Sequence, residues 1–152
     1  MAASIELLHP GDDPELAGAL VMLQRAAYAV EARLIGHDIP VRAETPAELA
    51  AAGLRWWGHR EGSDLLGAVA VTTTAELVDI ERLVVAPRAA RRGIGAALVG
   101  HVLAQAAAHR VVVATGRDNA PARRLYERAG FTVVADVEVA PGLWVTWYAR
   151  AP

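Results

Sequence analysis

Apolar residues recur every three to four positions in several stretches of the chain, which is the spacing of one helix face. The longest stretch begins at Pro14, behind two acidic residues that can cap it, and runs to about Leu34. Thr45 and Glu48 form a capping-box pattern for a shorter helix, and Gly130 ends the last one. The pattern predicts four helices, over residues 14–34, 45–52, 93–109 and 121–129.

Other stretches alternate between apolar and polar residues, or are short and wholly apolar, as is typical of strands. The run VVVAT, residues 111–115, suits a strand covered on both sides. Within the stretch 77–85, alternation predicts one face with Asp79, Glu81, Leu83 and Val85 and an opposite face with Ile80, Arg82 and Val84. The pattern predicts seven strands, over residues 4–8, 54–60, 65–73, 77–85, 111–115, 131–139 and 143–149, with hairpins between the second and third and between the last two.

Composition narrows the class of protein. The 152 residues are 54% hydrophobic and 21% charged, which predicts a folded chain. We find no linker or internal repeat and expect one domain over residues 1–152. A net charge of −2 disfavours a nucleic-acid partner. No apolar run approaches the roughly 18 residues of a membrane helix, and the chain's start does not resemble a signal peptide. We therefore expect a cytoplasmic protein without a membrane partner.

Metal and cysteine chemistry are also disfavoured. The chain has no Cys, which excludes disulfides, thiolate metal sites and a cysteine nucleophile. The five histidines show no spacing typical of metal ligands, and we expect no metal cofactor. These histidines are His9, His37, His59, His101 and His109.

The segment RRGIGAAL, residues 91–98, joins the fourth predicted strand to the third predicted helix. The first N–H groups of a helix are unpaired and the helix dipole adds partial positive charge, so this position suits an anion. Gly93 and Gly95 would let a diphosphate approach the backbone without meeting a Cβ. Arg91 and Arg92 add positive charge. An ordinary glycine turn with a solvated arginine pair is the alternative that these eight residues leave open.

Two other phosphate-binding motifs do not fit this segment. The P-loop motif contains a lysine, and the chain has no Lys. The dinucleotide-binding fingerprint has a third glycine where this chain has Leu98.

Two segments, VVAPRAARRGIGAAL and RDNAPARRLYERAGF, together resemble the cofactor half of the GNAT acetyltransferase superfamily. The resemblance extends over nearly the whole chain through the order of its elements, and it is most specific from Leu83 to Phe131. It implies an α/β (α+β) fold, in which a splayed, mixed central sheet of about seven strands is flanked by about four helices. It also implies that acetyl-CoA enters the splay between the fourth and fifth strands.

The resemblance assigns the cofactor-binding residues. The end of the fourth strand matches the segment whose backbone pairs with the pantetheine arm, and the N–H of Val85 would face the thioester oxygen. Asn119 matches an Asn that touches the pantetheine, and Tyr126 matches a Tyr beside the thioester sulfur. The pyrophosphate loop departs from the family pattern at Ala90, where Gln or Arg is common. The residues implied to bind the cofactor are Leu83, Val84, Val85, Arg91, Arg92, Gly93, Ile94, Gly95, Ala96, Asn119, Ala122 and Tyr126.

Acetyl transfer to an amine requires an amine that has lost its proton, stabilisation of the thioester oxygen and protonation of the leaving thiolate. The Val85 amide suits the second role, and Tyr126 suits the third, although its spacing from Ala122 is also that of a core aromatic. Glu81 and Asp79 are the candidate bases, with Glu81 favoured because it lies nearer the thioester, and salt bridges to arginines are the alternative role for both.

Acceptor specificity is expected in the first helix, the loop after it and the last hairpin. The candidates are Tyr28, Glu31, His37, Asp38, Trp144 and Trp147, and aromatic rings beside a carboxylate suit a cationic amine. The resulting hypothesis is an acetyl-CoA-dependent N-acyltransferase that acts by direct attack in a ternary complex. A non-catalytic acyl-CoA-binding module and an acyltransferase with another acyl group or acceptor are the alternatives. The sequence leaves open whether the acceptor is a small-molecule or a peptide amine. It also leaves open whether the protein is a monomer or a homodimer.

Overall fold

A computed structural model of the protein describes residues 3–37 and 43–152. Their seven strands and four helices match the predicted number and order. The strands are β1 (Ala3–Leu8), β2 (Arg55–Glu61), β3 (Asp64–Thr73), β4 (Leu77–Val85), β5 (Arg110–Gly116), β6 (Thr132–Ala140) and β7 (Leu143–Arg150). The helices are α1 (Pro14–Ile35), α2 (Pro46–Ala51), α3 (Ile94–Ala106) and α4 (Ala120–Arg128).

The strands form one mixed sheet in the order β1-β2-β3-β4-β5-β7-β6. All neighbours are antiparallel except β4 and β5, which are parallel. This parallel pair extends only from Leu77 and Arg110 to Ile80 and Val113. Both strands continue beyond it, so a wedge-shaped gap opens between their carboxyl ends. The splayed mixed sheet expected from the family resemblance is confirmed.

The helices cover opposite faces of the sheet. On the face that we call the α1 face, Gln24 of α1 accepts a hydrogen bond from Arg82 of β4. On the other, the α3 face, His101 of α3 packs edge-on against Trp57 of β2. The α4 helix lies on the α3 face as well, because Tyr126 packs on Tyr148, whose neighbour across β5 is Val113.

Local capping determines where the helices begin. The Asp13 carboxylate accepts from the N–H of Leu16 at 3.1 Å, and the predicted capping box between Thr45 and Glu48 forms in both directions. The third helix ends at Ala106, earlier than the predicted residue 109. Its end coincides with a positive φ of 51° at Ala107, a conformation that cannot continue a right-handed helix.

A bulge at Glu81 corrects the predicted faces of β4. Arg82 lies opposite Ala70 of β3 and Ile80 lies opposite the next residue of β3, so Glu81 is an extra residue in its strand. A bulge reverses the alternation of side chains beyond it. Leu83 and Val85 therefore share the α3 face with Ile80, and Asp79 shares the α1 face with Arg82 and Val84. Asp79 and Glu81 still share a face, but Leu83 and Val85 do not share it with them.

Candidate active site

The gap between β4 and β5 contains a cavity of about 210 Å³. It forms because the two strands separate beyond Ile80 and Val113, while β4 remains paired with β3 and β5 with β7. Both faces of the sheet contribute to it, through α1 on one side and α4 on the other. Its lining residues are Tyr28, Glu31, Ile80, Glu81, Arg82, Leu83, Val113, Ala114, Thr115, Asn119, Ala122 and Tyr126.

The end of β4 turns backbone amides toward this gap. The N–H of Ala86 donates to the carbonyl of Leu66 in β3 at 2.8 Å. Successive N–H groups of a strand point to opposite sides, so the N–H groups of Val85 and Leu83 point away from β3 and into the gap. A linear ligand that contains amides can therefore pair with this edge of β4.

The loop before α3 reverses the chain through two left-handed residues. Their φ angles are 64° at Arg91 and 78° at Gly93. Gly93 is the N-cap of α3 and provides no side-chain cap, and nothing lies within 4 Å of the position that a Cβ would occupy on it. The first amides of α3 therefore lack a side-chain acceptor, and the helix dipole favours an anion there. The start of α3 therefore suits an anionic group.

Gly95 also has a structural reason to be glycine. A Cβ on Gly95 would lie 2.8 Å from Cδ1 of Leu125 in α4 and 3.8 Å from Cγ2 of Val85 in β4. The missing side chain thus leaves room for the Leu125 side chain between α3 and α4. Ile94 is buried against the core at 4% exposure, whereas Ala96 is exposed.

The arginines near the loop occupy separate surroundings. Arg92 forms a salt bridge with Glu61 at the end of β2, while the Arg91 side chain is exposed. Arg88 lines a larger groove of about 830 Å³ between α1 and the β2–β3 turn. That groove shares no lining residue with the cavity between β4 and β5. The cavity between β4 and β5 is the one next to the edge of β4 that carries the amides of Leu83 and Val85.

Tyr126 lies at the α4 side of the cavity, as the sequence motif required. Its ring is 4% exposed and packs against Phe131 and Tyr148, with ring centroids 5.6 and 6.1 Å away. Burial raises the pKa of the Tyr126 hydroxyl well above its usual value, and the negative charge of Glu31 raises it further. The hydroxyl therefore keeps its proton at neutral pH and can act as a donor.

Asn119 connects the cavity to the start of α4. It is buried and is the N-cap of this helix, where its side-chain oxygen accepts from the N–H of Ala122 at 3.2 Å. Asn119 and Glu31 of α1 both line the cavity, and the Asn119 side chain lowers the pKa of the Glu31 carboxyl against the larger rise that desolvation causes.

The two predicted carboxylates of β4 lie on the α1 face. Glu81 lines the cavity, is exposed, and accepts from the Thr72 hydroxyl at 2.9 Å. Asp79 is half-buried, lies two residues before Glu81 in β4 and further from the gap, and does not line the cavity. Desolvation, together with the neighbouring charge of Glu81, raises the pKa of the Asp79 carboxyl to about 6.

Of the predicted acceptor residues, only Tyr28 and Glu31 line the cavity. Trp147 lies opposite Ala114 of β5 on the α1 face, outside the cavity lining. Trp144 lies elsewhere, with the Arg117 guanidinium 4.6 Å from its ring centroid. His37 follows the glycine that ends α1 and does not line the cavity, and Asp38 lies outside the described residues.

A buried polar network beside the cavity was not predicted from the sequence. Arg82 donates to both carboxylate oxygens of Glu44, at 2.5 and 2.9 Å, and to the side-chain oxygen of Gln24 at 2.9 Å. The Arg82 and Glu44 side chains are 10% and 12% exposed. Arg82, the basic residue of β4, was the available signal, but its partners come from α1 and from the segment before α2. Their distance along the chain concealed them.

Across residues 3–37 and 43–152, no helix combines the length and apolarity needed to cross a bilayer. The same part of the chain contains no group of three His, Asp or Glu side chains arranged to hold a metal ion.

Comparison with known proteins gives one family match and a similar bacterial protein. Residues 23–131 match the model of the acetyltransferase (GNAT) family. The UPF0157 protein YqkA of Bacillus subtilis (strain 168) is 33% identical over 139 residues. This match covers 90% of the chain and 40% of that protein, so the chain spans less than half the length of this relative.

Two solved structures share the fold. The PaiA N-acetyltransferase from Thermoplasma acidophilum, in complex with coenzyme A, gives a TM-score of 0.78 at 16% identity and covers 99% of this chain and 100% of its own. YncA from Salmonella typhimurium, with its cofactor acetyl-CoA, gives a TM-score of 0.75 at 20% identity. The match covers 99% of this chain and 94% of YncA.

Proposed function

Because the chain belongs to the GNAT acetyltransferase family, we propose that it transfers the acetyl group of acetyl-CoA directly to an amine within a ternary complex. Acetyl-CoA is the cosubstrate of this family, and the similar structures from Thermoplasma acidophilum and Salmonella typhimurium hold coenzyme A or acetyl-CoA. The observation that supports the proposal most directly is the gap beyond Ile80 and Val113, with Tyr126 at its side.

Binding of the cosubstrate relies on backbone groups. The amides of residues 91–96 take the diphosphate at the start of α3, and Arg91 supplements their charge. Leu83 and Val85 pair with the amides of the pantetheine arm through the N–H groups that they turn toward the gap. Asn119 and Ala122, at the start of α4, line the opposite side of this arm.

Chemistry then takes place where the gap meets the α1 face. The Val85 N–H donates to the thioester oxygen as negative charge develops there. The amine nitrogen forms its bond to the carbonyl carbon while the bond from carbon to sulfur breaks. Tyr126 donates its hydroxyl proton to the leaving sulfur, and the second proton that the nitrogen loses as the amide forms restores the Tyr126 hydroxyl through water. Glu81 takes the proton of the acceptor ammonium through water, and Asp79 is the second candidate for this role.

The sheet separates the two substrates. The cosubstrate approaches along the α3 face, where α3 and α4 lie, and the acceptor approaches from the α1 face, where Glu81 and α1 lie. Direct attack requires that both substrates meet in the gap, and the splay provides that opening without breaking another strand pair.

The proposal is tested by two measurements on the purified protein. Native mass spectrometry should detect a one-to-one complex with coenzyme A, and thiol release from acetyl-CoA should rise when amines are added from a panel of small amines and peptides. Binding without transfer to any member of the panel would favour the acyl-CoA-binding module. Absence of binding would refute the assignment of the gap to coenzyme A.

A further inference from the structure

Glu31, one of the acceptor candidates predicted from the sequence, is the acidic residue of α1 that lines the cavity. It stands one helical turn after Tyr28, and both side chains line the cavity from the α1 face. The Glu31 side chain is half-buried. Desolvation raises the pKa of its carboxyl, and the Asn119 side chain partly offsets this effect.

The charges around the cavity favour a cation. Among the residues that the structure describes, Glu31 and Glu81 are the acidic lining residues and Arg82 is the basic one. Arg82, however, directs both terminal nitrogens to other groups, to the carboxylate of Glu44 and to the amide of Gln24. Its charge is therefore balanced by Glu44, which leaves the cavity with an excess of negative charge.

Glu31 is also better placed than Glu81 to hold a charged group in the gap. Glu81 is exposed and is occupied by the Thr72 hydroxyl, so water screens its charge. Glu31 is half-buried and lines the same cavity as Tyr126. A cation bound to Glu31 would thus lie beside the donor of the reaction.

We propose that Glu31 is the specificity-determining residue of the acceptor site, where its carboxylate binds the ammonium group of a primary amine that carries no carboxylate next to its nitrogen. This assignment rests on the proposed function for its role in catalysis. An alcohol would lose the charged hydrogen bond to Glu31. An α-amino acid would bring its own carboxylate between Glu31 and Glu81, where the basic Arg82 is already paired.

Three probes that share a phenethyl group separate these cases: phenethylamine, 2-phenylethanol and phenylalanine. Their dissociation constants are measured by calorimetry with the protein saturated in coenzyme A, so that turnover is not needed. The parent protein should bind phenethylamine at least ten-fold more tightly than either other probe, since hydrogen bonds to charged groups contribute about 1.5–3 kcal/mol. Butylamine and 1-butanol serve as a second, smaller pair.

The variant Glu31→Gln keeps the shape of the side chain and an oxygen that can accept a hydrogen bond from Asn119, but it removes the negative charge. It should lose the preference for the amine over the alcohol, with unchanged affinity for coenzyme A and for 2-phenylethanol. Glu15→Gln is the matched control, since Glu15 lies in the first turn of the same helix and outside the cavity. It should retain the preference of the parent.

The outcomes separate this inference from the proposed function. The inference is overturned if Glu31→Gln still binds the amine more tightly than the alcohol. It is also overturned if the parent protein binds neither amine more tightly than the matching alcohol, or if it binds phenylalanine as tightly as phenethylamine. Acetyl transfer by a protein in which Glu31→Gln behaves as the parent would support the function and refute the role of Glu31. A Glu31-dependent amine preference without any transfer would support the role of Glu31 in binding and refute the function.

Discussion

Gly95 of α3 and Leu125 of α4 approach so closely that a Cβ on the glycine would lie 2.8 Å from Cδ1 of the leucine. This contact joins the helix that begins at the phosphate loop to the helix that carries Tyr126. The glycine motif therefore has two physical functions. Gly93 supplies a backbone conformation, and Gly95 supplies room for a neighbouring helix.

The contact between Gly95 and Leu125 can be measured as a coupling energy. Gly95→Ala should stabilise the parent less than it stabilises a Leu125→Ala protein, because Cδ1 of Leu125 must shift away from the new methyl group. In the Leu125→Ala background the same substitution should raise the free energy of unfolding by up to about 1 kcal/mol, since Ala is a better helix former than Gly. Urea unfolding of the four proteins gives the coupling. Equal effects in both backgrounds would show that the two residues do not interact.

Gly93 should respond to substitution for a different reason. Its φ of 78° is unfavourable for residues with a Cβ, while the surrounding space is open. Gly93→Ala is expected to cost about 1–2 kcal/mol of stability through backbone strain alone. Gly100→Ala is the control within α3, where the space is also open but φ is helical, and it should stabilise the protein by about 1 kcal/mol. Thermal unfolding of the two variants should shift in opposite directions.

Tyr126→Phe tests the donor role. The variant keeps the ring packed against Phe131 and Tyr148 and removes only the hydroxyl. The affinity for coenzyme A should change little, whereas kcat should fall by about 10² to 10⁴-fold, the usual contribution of a general acid. Steady-state kinetics with calorimetric binding separate the two quantities. A kcat equal to that of the parent would leave Tyr126 as a core aromatic.

Glu81→Gln tests the proposed base. With the proton acceptor removed, kcat/KM should fall at neutral pH and recover toward high pH, where the amine is already deprotonated. Asp79→Asn, on the same face of β4, is the comparison, and Tyr126→Phe should show no recovery. Loss and recovery in Asp79→Asn but not in Glu81→Gln would exchange the roles of the two carboxylates. Profiles that overlay the parent in both would exclude both as the base.

The raised pKa of Asp79 predicts a stability that depends on pH. Folding raises this pKa from 3.8 to about 6, so the folded state binds the proton more tightly than the unfolded state. Ionised Asp79 therefore destabilises the fold, an effect that is absent below pH 4, develops between pH 4 and 6 and is complete above pH 6. Asp79→Asn should be more stable than the parent above pH 6, by on the order of 1 kcal/mol because the half-buried group is partly screened.

Denaturant titrations of both proteins at pH 3.5 and pH 7.5 give this difference directly. The advantage of Asp79→Asn should vanish at the lower pH. An advantage of the same size at both values would mean that the substitution acts through packing rather than through charge.

Secondary structure could be predicted because it depends on local physics. The capping box of Thr45 and Glu48 satisfies backbone groups within one turn, and Gly130 ends its helix through its own left-handed backbone, with a φ of 93°. The apolar run 111–115 predicts a central strand because it has no polar face to expose. The motif from Arg91 to Ala96 predicts an anion site because amides at the start of a helix lack partners whatever the rest of the fold is.

The arrangement of side chains around the gap depended on the tertiary structure. The bulge at Glu81 places Leu83 on the face opposite to Asp79, and no pattern in β4 reveals it, since it is defined by pairing with β3. The network of Arg82, Glu44 and Gln24 assembles from three distant segments.

The sequence by itself thus determined the elements, the family resemblance and the residue types of the site, because these follow from contacts between near neighbours in the chain. Only the tertiary structure decided that Glu31 and Asn119 line the same gap and that Trp144 does not line it. Such contacts join residues far apart in sequence, and their geometry is set by the register, the twist and the packing of whole elements rather than by local preference.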